Sequence, residues 1–279
     1  MKKARVTKIS EDTYRFAESS FGTEVYMYLL IGTEKALLID TAYGFTDVPA
    51  AIREITDLPL IVVNTHGHMD HMHGNHLYPE VYISQDDHEV FLRHSDSAYL
   101  MGLMEDIVRE NKLPKFLLKI PLLRVKDVVH CEPSTSVALP EQMYFELGNR
   151  RVSILKTPGH TIGSVTLLDE KNKWAFSGDT TCQDGVLLQF PESTSVQTFR
   201  SSIIGMKELV QEGKITTFFP AHQQTPLGTD ILDVYISNCD QILNGPLDAE
   251  YIKNGFYSSK KGAIRFDPNH IWEGEDGNS

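Results

Sequence analysis

The 279-residue sequence predicts an α/β sandwich, two sheets packed face to face with helices outside. Three observations carry this. Short apolar β-type runs recur through both halves of the chain, amphipathic segments of helical length lie between them, and glycine and proline punctuate the units. Mixed strands with interspersed helices bury their apolar faces best as stacked layers.

The first sixty residues alternate strand-like runs with turns: Val6–Ile9, Thr13–Phe16, Val25–Ile31, Ala36–Ile39 and Leu60–Val63. A helix fits Phe45–Thr56, and Val81–Ser84 reads as the next strand. The second half supplies strands at Val152–Lys156, Ser164–Leu168, Trp174–Ser177 and Thr216–Phe219, with a helix around Val196–Glu212. The tail, about 229–272, reads as one helix followed by an edge strand at Ala263-Ile264-Arg265-Phe266, and the polar end Glu273–Ser279 as disordered. Residues 96–140 are irregular. Ala98–Glu110 has amphipathic helical spacing, and Leu113–Leu123 is apolar with Pro114 and Pro121. This insertion is expected to form a lid or one wall of a substrate pocket, with core packing or a contact in a homodimer as the alternatives.

The chemistry concentrates at the ends of these strands. Residues 64–71 read Asn64-Thr65-His66-Gly67-His68-Met69-Asp70-His71, an H-x-H-x-D-H run directly after the apolar Leu60–Val63. Imidazole nitrogens and a carboxylate suit a divalent metal of borderline softness, and four such groups within six residues suggest more than one ion. His160 follows a strand and turn in Thr157-Pro158-Gly159-His160, Asp179 follows Phe176-Ser177-Gly178, and His222 follows Phe218-Phe219-Pro220-Ala221. Asp40 ends the run Ala36–Ile39.

On these residues, in this order, the chain resembles the metallo-β-lactamase superfamily of metal-dependent hydrolases over roughly residues 20–225. The resemblance implies a single domain over 1–279 with a four-layer αβ/βα sandwich and the site along one edge. It implies two divalent metal ions, zinc by default with iron or manganese as alternatives. His66, His68 and His160 would hold one ion; Asp70, His71 and His222 would hold the other; Asp179 would bridge them. Asp40 would support the loop from behind, and Asp70 would orient the nucleophile and shuttle its proton. A hydroxide shared by the two metals would then cleave an ester, thioester, lactone or amide bond of a small molecule, with a phosphodiester as the alternative electrophile. A different class, an iron-dependent dioxygenase acting on a persulfide, would rest mainly on His66, His160 and Asp179. The histidine at position 68, where the di-iron oxygen reductases of the superfamily carry glutamate, argues against those reductases but not against the persulfide dioxygenase. The segment Thr180–Leu188 lacks the tyrosine of acyl-homoserine lactonases, and the tail is shorter than the helical domain of hydroxyacylglutathione hydrolases. His73 and His76 continue the histidine run but fall outside the motif. His88, His94, His130 and His270 are expected in surface or capping roles.

Composition bounds the setting. Net charge is −12, from 26 basic and 38 acidic residues, which disfavours a nucleic-acid partner. Apolar content of 41% is that of an ordinary globular chain, and no stretch approaches the roughly 20 apolar residues of a membrane span. Lys2, Lys3 and Arg5 have no apolar region behind them to make a secretory signal. Three dispersed cysteines, Cys131, Cys182 and Cys239, suggest no disulfide framework and a reducing, cytoplasmic setting, with Cys182 a small buried residue rather than a ligand. The expected partner is a small molecule, with an apolar part if the insertion lines its pocket.

Overall fold

A computed structural model describes residues 3–20, 23–102, 135–223, 225–245, 252–253, 256–258 and 264–274. Most of the 96–140 insertion, His130 and residues 275–279 lie outside the described residues, as does Ala98–Glu110 beyond residue 102.

The first sheet has seven strands in sequence order: β1 (Arg5–Ser10), β2 (Thr13–Ser20), β3 (Thr23–Ile31), β4 (Ala36–Ile39), β5 (Leu60–Val63), β6 (Glu80–Ile83) and β7 (Thr135–Ala138). β1 to β4 pair antiparallel; β4 to β7 run parallel. The second sheet is ordered β13-β11-β10-β9-β8, from β8 (Tyr144–Glu146), β9 (Arg151–Lys156), β10 (Val165–Asp169), β11 (Trp174–Gly178) and β13 (Thr217–Pro220). A small third sheet joins β12 (Val186–Leu188) to β16 (Ile264–Phe266), then β15 (Phe256–Ser258) and β14 (Ile252–Lys253).

Two-sided burial explains the layering. Along β3, Tyr26, Tyr28 and Leu30 face one core while Val25, Met27 and Leu29 face another. The first is the seam between the sheets, closed by Val152, Val165, Leu167, Phe176 and Phe219. The second packs under α1 (Val48–Arg53), through Val48, Ala51 and Ile52. After the short helices α2 (Met69–Met72) and α3 (His88–Ser95), α4 (Val196–Gln211) and α5 (Ile231–Asn244) cover the outer face of the second sheet, through Phe199, Ile203, Leu232 and Tyr235. Central strands buried on both faces must be apolar throughout, as Ala36–Ile39 is. The result is helix, sheet, sheet, helix.

The sequence-based elements differ in detail. The helix expected over Phe45–Thr56 is trimmed to α1, because Glu18 captures the Thr46 N–H and hydroxyl (2.7 and 2.6 Å) and Asp47 caps the helix by accepting from the Ala50 N–H at 3.0 Å. Strands β7, β8 and β12, of three or four residues each, carry too short a pattern to read alone. Among the described residues no helix is long and apolar enough to cross a membrane.

Candidate metal centre

Strand direction gathers the site. β4 and β5 are parallel neighbours, so Asp40 and the Thr65–His71 segment emerge at the same edge. β9 and β11 both pair antiparallel with β10, and β11 is parallel to β13, so His160, Asp179 and His222 also follow strand ends that point one way. The Val165 N–H donates to Thr65 O (2.9 Å) and the Tyr26 N–H to Ala221 O (2.8 Å), tying the two edges together. Gly178, at the end of β11, packs against Thr65 just past the end of β5. It has φ +52°, and a Cβ there would lie 2.5 Å from Thr65 Oγ1, so the residue before Asp179 must be glycine.

Two donor clusters result. His68 Nδ1 lies 3.2 Å from His66 Nε2 and 2.9 Å from His160 Nε2. His71 Nε2 and His222 Nε2 are 3.2 Å apart, and Asp70 Oδ2 is 3.9 and 3.3 Å from them. Asp179 faces both: its Oδ2 is 3.5 Å from His160 Nε2, while its Oδ1 is 3.3 Å from His71 Nε2 and 3.4 Å from His222 Nε2. All seven sequence-predicted donors are thus brought together. His73 and His76 join neither cluster; His76 Nδ1 instead donates to His73 O at 2.8 Å. The Cys182 thiol is likewise in no cluster, and its backbone is held by the Tyr235 hydroxyl.

The far nitrogen of each histidine is fixed. His71 Nδ1–H donates to Asp40 Oδ2 (2.9 Å), His160 Nδ1–H to Leu187 O (2.8 Å) and His222 Nδ1–H to Glu24 O (2.8 Å). His66 Nδ1 is 3.2 Å from the Thr65 hydroxyl, which itself donates to Asp40 Oδ2 at 2.9 Å. Asp40 also accepts the Thr65 N–H at 2.7 Å, and its φ of 61° turns the chain sharply off β4 to reach there. Such partners set tautomer and ring orientation, leaving the inner nitrogens unprotonated to bind a cation.

Sequence reasoning missed three residues here. Buried Glu192 accepts from His68 Nε2–H at 2.9 Å and from Arg93 at 3.1 Å. His94, expected at the surface, is buried; its Nδ1 accepts the Met69 N–H at 3.3 Å and its Nε2 faces Glu192 at 3.5 Å. Asp87 is buried and accepts from the Gly67 N–H (2.8 Å), the Thr161 hydroxyl (2.7 Å) and the Gly163 N–H (2.7 Å), so one carboxylate binds both metal-facing loops. Glu192 lies in a loop 124 residues from His68, and no local pattern connects them. A Glu192→Ala substitution is expected to weaken metal binding by about 10–100-fold, with the loss in the His66/His68/His160 cluster, checked by competition with a chromophoric chelator.

The two clusters differ electrostatically. Burial, then the charge of neighbouring imidazoles, lowers the pKa of His66 far below its usual range and that of His160 to about 4. Burial also acts to lower His71 and His222, but Asp179 and Asp70 outweigh it and both are raised, His71 strongly. Burial pushes Asp70 and Asp179 up, yet His71 and His222 overcome it and hold both below the usual carboxylate range. At pH 7 His66 and His160 are neutral, whereas the metal-free His71/His222 side holds protons more tightly than a free imidazole, and a cation there competes with them. The sign follows: lowering pH from 7 toward 5 weakens metal binding at Asp70/His71/His222 first. Dialysis at pH 5.5 followed by elemental analysis should find that ion depleted before the other.

The residues fit a pair of metal ions. Three ligand atoms on a tetrahedral ion with bonds of about 2.0–2.1 Å lie about 3.3 Å apart, and the inner nitrogens converge at 2.9–3.2 Å. Asp179 Oδ1 is buried with no hydrogen-bond partner, an arrangement that a cation would satisfy.

Known proteins share this plan. A family model described as the metallo-beta-lactamase superfamily matches residues 21–131, which include the first sheet's histidine cluster. An acyl-coenzyme A thioesterase, MBLAC2, from Gallus gallus is 27% identical over 220 residues, covering 75% of each chain, and its Homo sapiens counterpart is 26% identical over 223 residues. A probable metallo-hydrolase of Methanocaldococcus jannaschii is 27% identical over 212 residues, 73% of this chain and 90% of that one. Among solved structures, DIM-1 metallo-beta-lactamase superposes with a TM-score of 0.57 at 18% identity, covering 84% of this chain and 96% of that chain. A metallo-beta-lactamase family protein from Thermus thermophilus superposes at 0.58 with 17% identity, covering 86% and 85%. This chain therefore shares the fold of these metallo-β-lactamases, and its residues 21–131 resemble the metallo-beta-lactamase superfamily.

Proposed function

We propose that this chain is a two-metal hydrolase that cleaves thioesters of small molecules. The observation that carries the reading is Asp179, whose two oxygens face two separate donor clusters. The choice of thioester over ester, lactone or amide is supported by relatives named as acyl-coenzyme A thioesterases.

His66, His68 and His160 would hold one divalent ion, Asp70, His71 and His222 the other, with Asp179 between them. Zinc suits this donor set best, with iron or manganese as alternatives. Bound there, such ions supply Lewis acidity and make water nucleophilic at neutral pH. The chain's own residues do the rest. Asp70 is ionised at pH 7 and has its side chain 25% exposed toward the cavity, so it orients the attacking water and accepts its proton. Phe190 packs edge-on against His68 and His160, with centroids at 5.4 and 5.7 Å, and shields that side from bulk solvent. The leaving group is a thiolate with a parent thiol pKa of about 8–9, so it departs without a strong proton donor. A complete second cluster favours this reading over the mono-iron persulfide chemistry, which would need only His66, His160 and Asp179.

The test is thiol release from acyl thioesters by zinc-loaded protein, run beside oxygen esters, lactones and phosphodiesters with matched groups. Thioester turnover that falls at least about a hundredfold in Asp70→Asn, with bound metal counted in the same sample, is the expected result. Preference for another bond class would overturn the thioester assignment.

A further inference from the structure

The chain leaves the metal-facing His222 on a strained step. Gln223 has φ +64°, a conformation that glycine takes freely and that a residue with a side chain adopts only under constraint. The constraint is visible on the near side of the step. The Ala221 N–H donates to Gly178 O (3.0 Å), Ala221 O accepts the Tyr26 N–H (2.8 Å), and His222 Nδ1–H donates to Glu24 O (2.8 Å), so the chain is pinned to both sheets. On the far side the glutamine is itself held: its Oε1 accepts the Asp184 N–H at 2.6 Å. Asp184 stands in the tight turn Cys182–Gly185, closed by the Gly185 N–H on Cys182 O at 3.3 Å. One side chain thus joins the loop that follows His222 to the loop that follows Asp179.

Gln223 and Asp184 both line the cavity of about 430 Å³ that Asp70, Asp179 and His222 also face. The tether decides which end of the amide is offered there. A backbone N–H needs an acceptor, so the carbonyl oxygen is the tied end and the NH2 group is the other. Among the described residues that NH2 makes no hydrogen bond, and Gln223 is exposed, so its two donors are open to whatever enters. A position that glycine would fill without strain instead carries an oriented donor, one residue from the second metal cluster. The group is uncharged at every pH, so its role does not turn on the charge of the neighbouring centre.

We propose that Gln223 is a specificity-determining residue that donates to an amide carbonyl of the substrate, a few bonds from the scissile thioester. This rests on the thioester reading above. In that reading bound ions polarise the scissile carbonyl, so the glutamine acts on a second acceptor. An amide carbonyl on the thiol arm and one on the acyl arm offer the same chemistry, and the experiment separates them.

The experiment measures kcat and KM for two matched pairs, with bound metal counted in each sample. The acetyl thioester of N-acetylcysteamine, with its amide on the thiol arm, is paired with S-pentyl thioacetate. The S-pentyl thioester of N-acetyl-β-alanine, with its amide on the acyl arm, is paired with S-pentyl thiohexanoate. In at least one pair the amide-to-alkyl ratio of kcat/KM should be about three- to tenfold higher in the wild type than in Gln223→Leu, through KM rather than kcat. The pair that responds identifies the arm. Gln223→Glu keeps an oxygen for the Asp184 N–H but removes the donor, so it should lose the ratio as Gln223→Leu does; a role confined to tying the loops would leave it intact. A ratio that survives in Gln223→Glu, or an equal loss of kcat on all the thioesters, would overturn the proposal while leaving the hydrolase reading standing. If no thioester is turned over, the hydrolase reading fails by itself. Calorimetry with the matching thioethers then decides on Gln223: amide-dependent binding lost in Gln223→Glu supports the role, and binding unchanged in that variant overturns it.

Discussion

Replacing Asp179 by alanine is expected to lower thioester hydrolysis by more than about a hundredfold and to reduce bound metal from two ions toward one. The magnitude has a floor, because losing a partner one bond removed from the ion already costs about 10–100-fold, and Asp179 faces both clusters directly. Its Oδ1 makes no hydrogen bond and approaches only the two imidazoles, His71 Nε2 at 3.3 Å and His222 Nε2 at 3.4 Å, so its contacts are those of the centre itself. Asp179→Asn keeps the shape and removes the charge. It should retain the ion at His66/His68/His160, whose three nitrogens converge without it, and lose the one at Asp70/His71/His222. Elemental analysis with parallel thiol-release assays reads both quantities. An alanine variant with two ions and full turnover would remove Asp179 from the centre.

The second large effect is expected at a residue that touches no metal-facing atom. Asp87→Ala leaves the Gly67 N–H, the Gly163 N–H and the Thr161 hydroxyl without their buried acceptor. Each unsatisfied buried donor costs about 1–3 kcal/mol, so the fold should lose about 3 kcal/mol or more. There is little room to relax: a Cβ at Gly163 would lie 2.5 Å from Asp87 N, which shows how closely the loops already approach. Asp87→Asn is nearly isosteric, yet one of its ends is an NH2 group facing N–H or O–H donors, so it should recover only part of the loss. Because Gly67 lies between His66 and His68, and Thr161 follows His160, metal affinity should fall with stability. Urea unfolding of the metal-free protein measures the first and chelator competition the second. Unchanged stability in Asp87→Ala would show that the loops hold without the carboxylate.

How much of this was legible in the sequence depends on the distance over which each signal acts. The convergence of the candidate residues was readable because each follows an apolar strand, as His66 follows Leu60–Val63 and Asp179 follows Trp174–Gly178, and because strand ends in such a sandwich share an edge. The central strands were readable because they are buried on both faces and so continuously apolar. What was not legible acts across the fold. Asp87 and Glu192 are ordinary loop acids in sequence; their roles arise because Asp87 meets Gly163, 76 residues on, and Glu192 meets His68, 124 residues back. His94 sits on the short helix α3 (His88–Ser95) and is buried only because α3 lies over the histidine loop. Gln223 stood in the sequence only as the residue after His222, and its partner Asp184 lies 39 residues back.

The central claim is that hydrolysis depends on two ions held by His66, His68, His160, Asp70, His71, His222 and Asp179. Its most direct test is stepwise zinc titration of chelator-stripped protein, with thioester turnover measured at each addition. Turnover that is absent in the stripped protein and rises to a plateau at two equivalents of zinc is the predicted result. Turnover that persists after stripping, or that is complete at one equivalent, would contradict it.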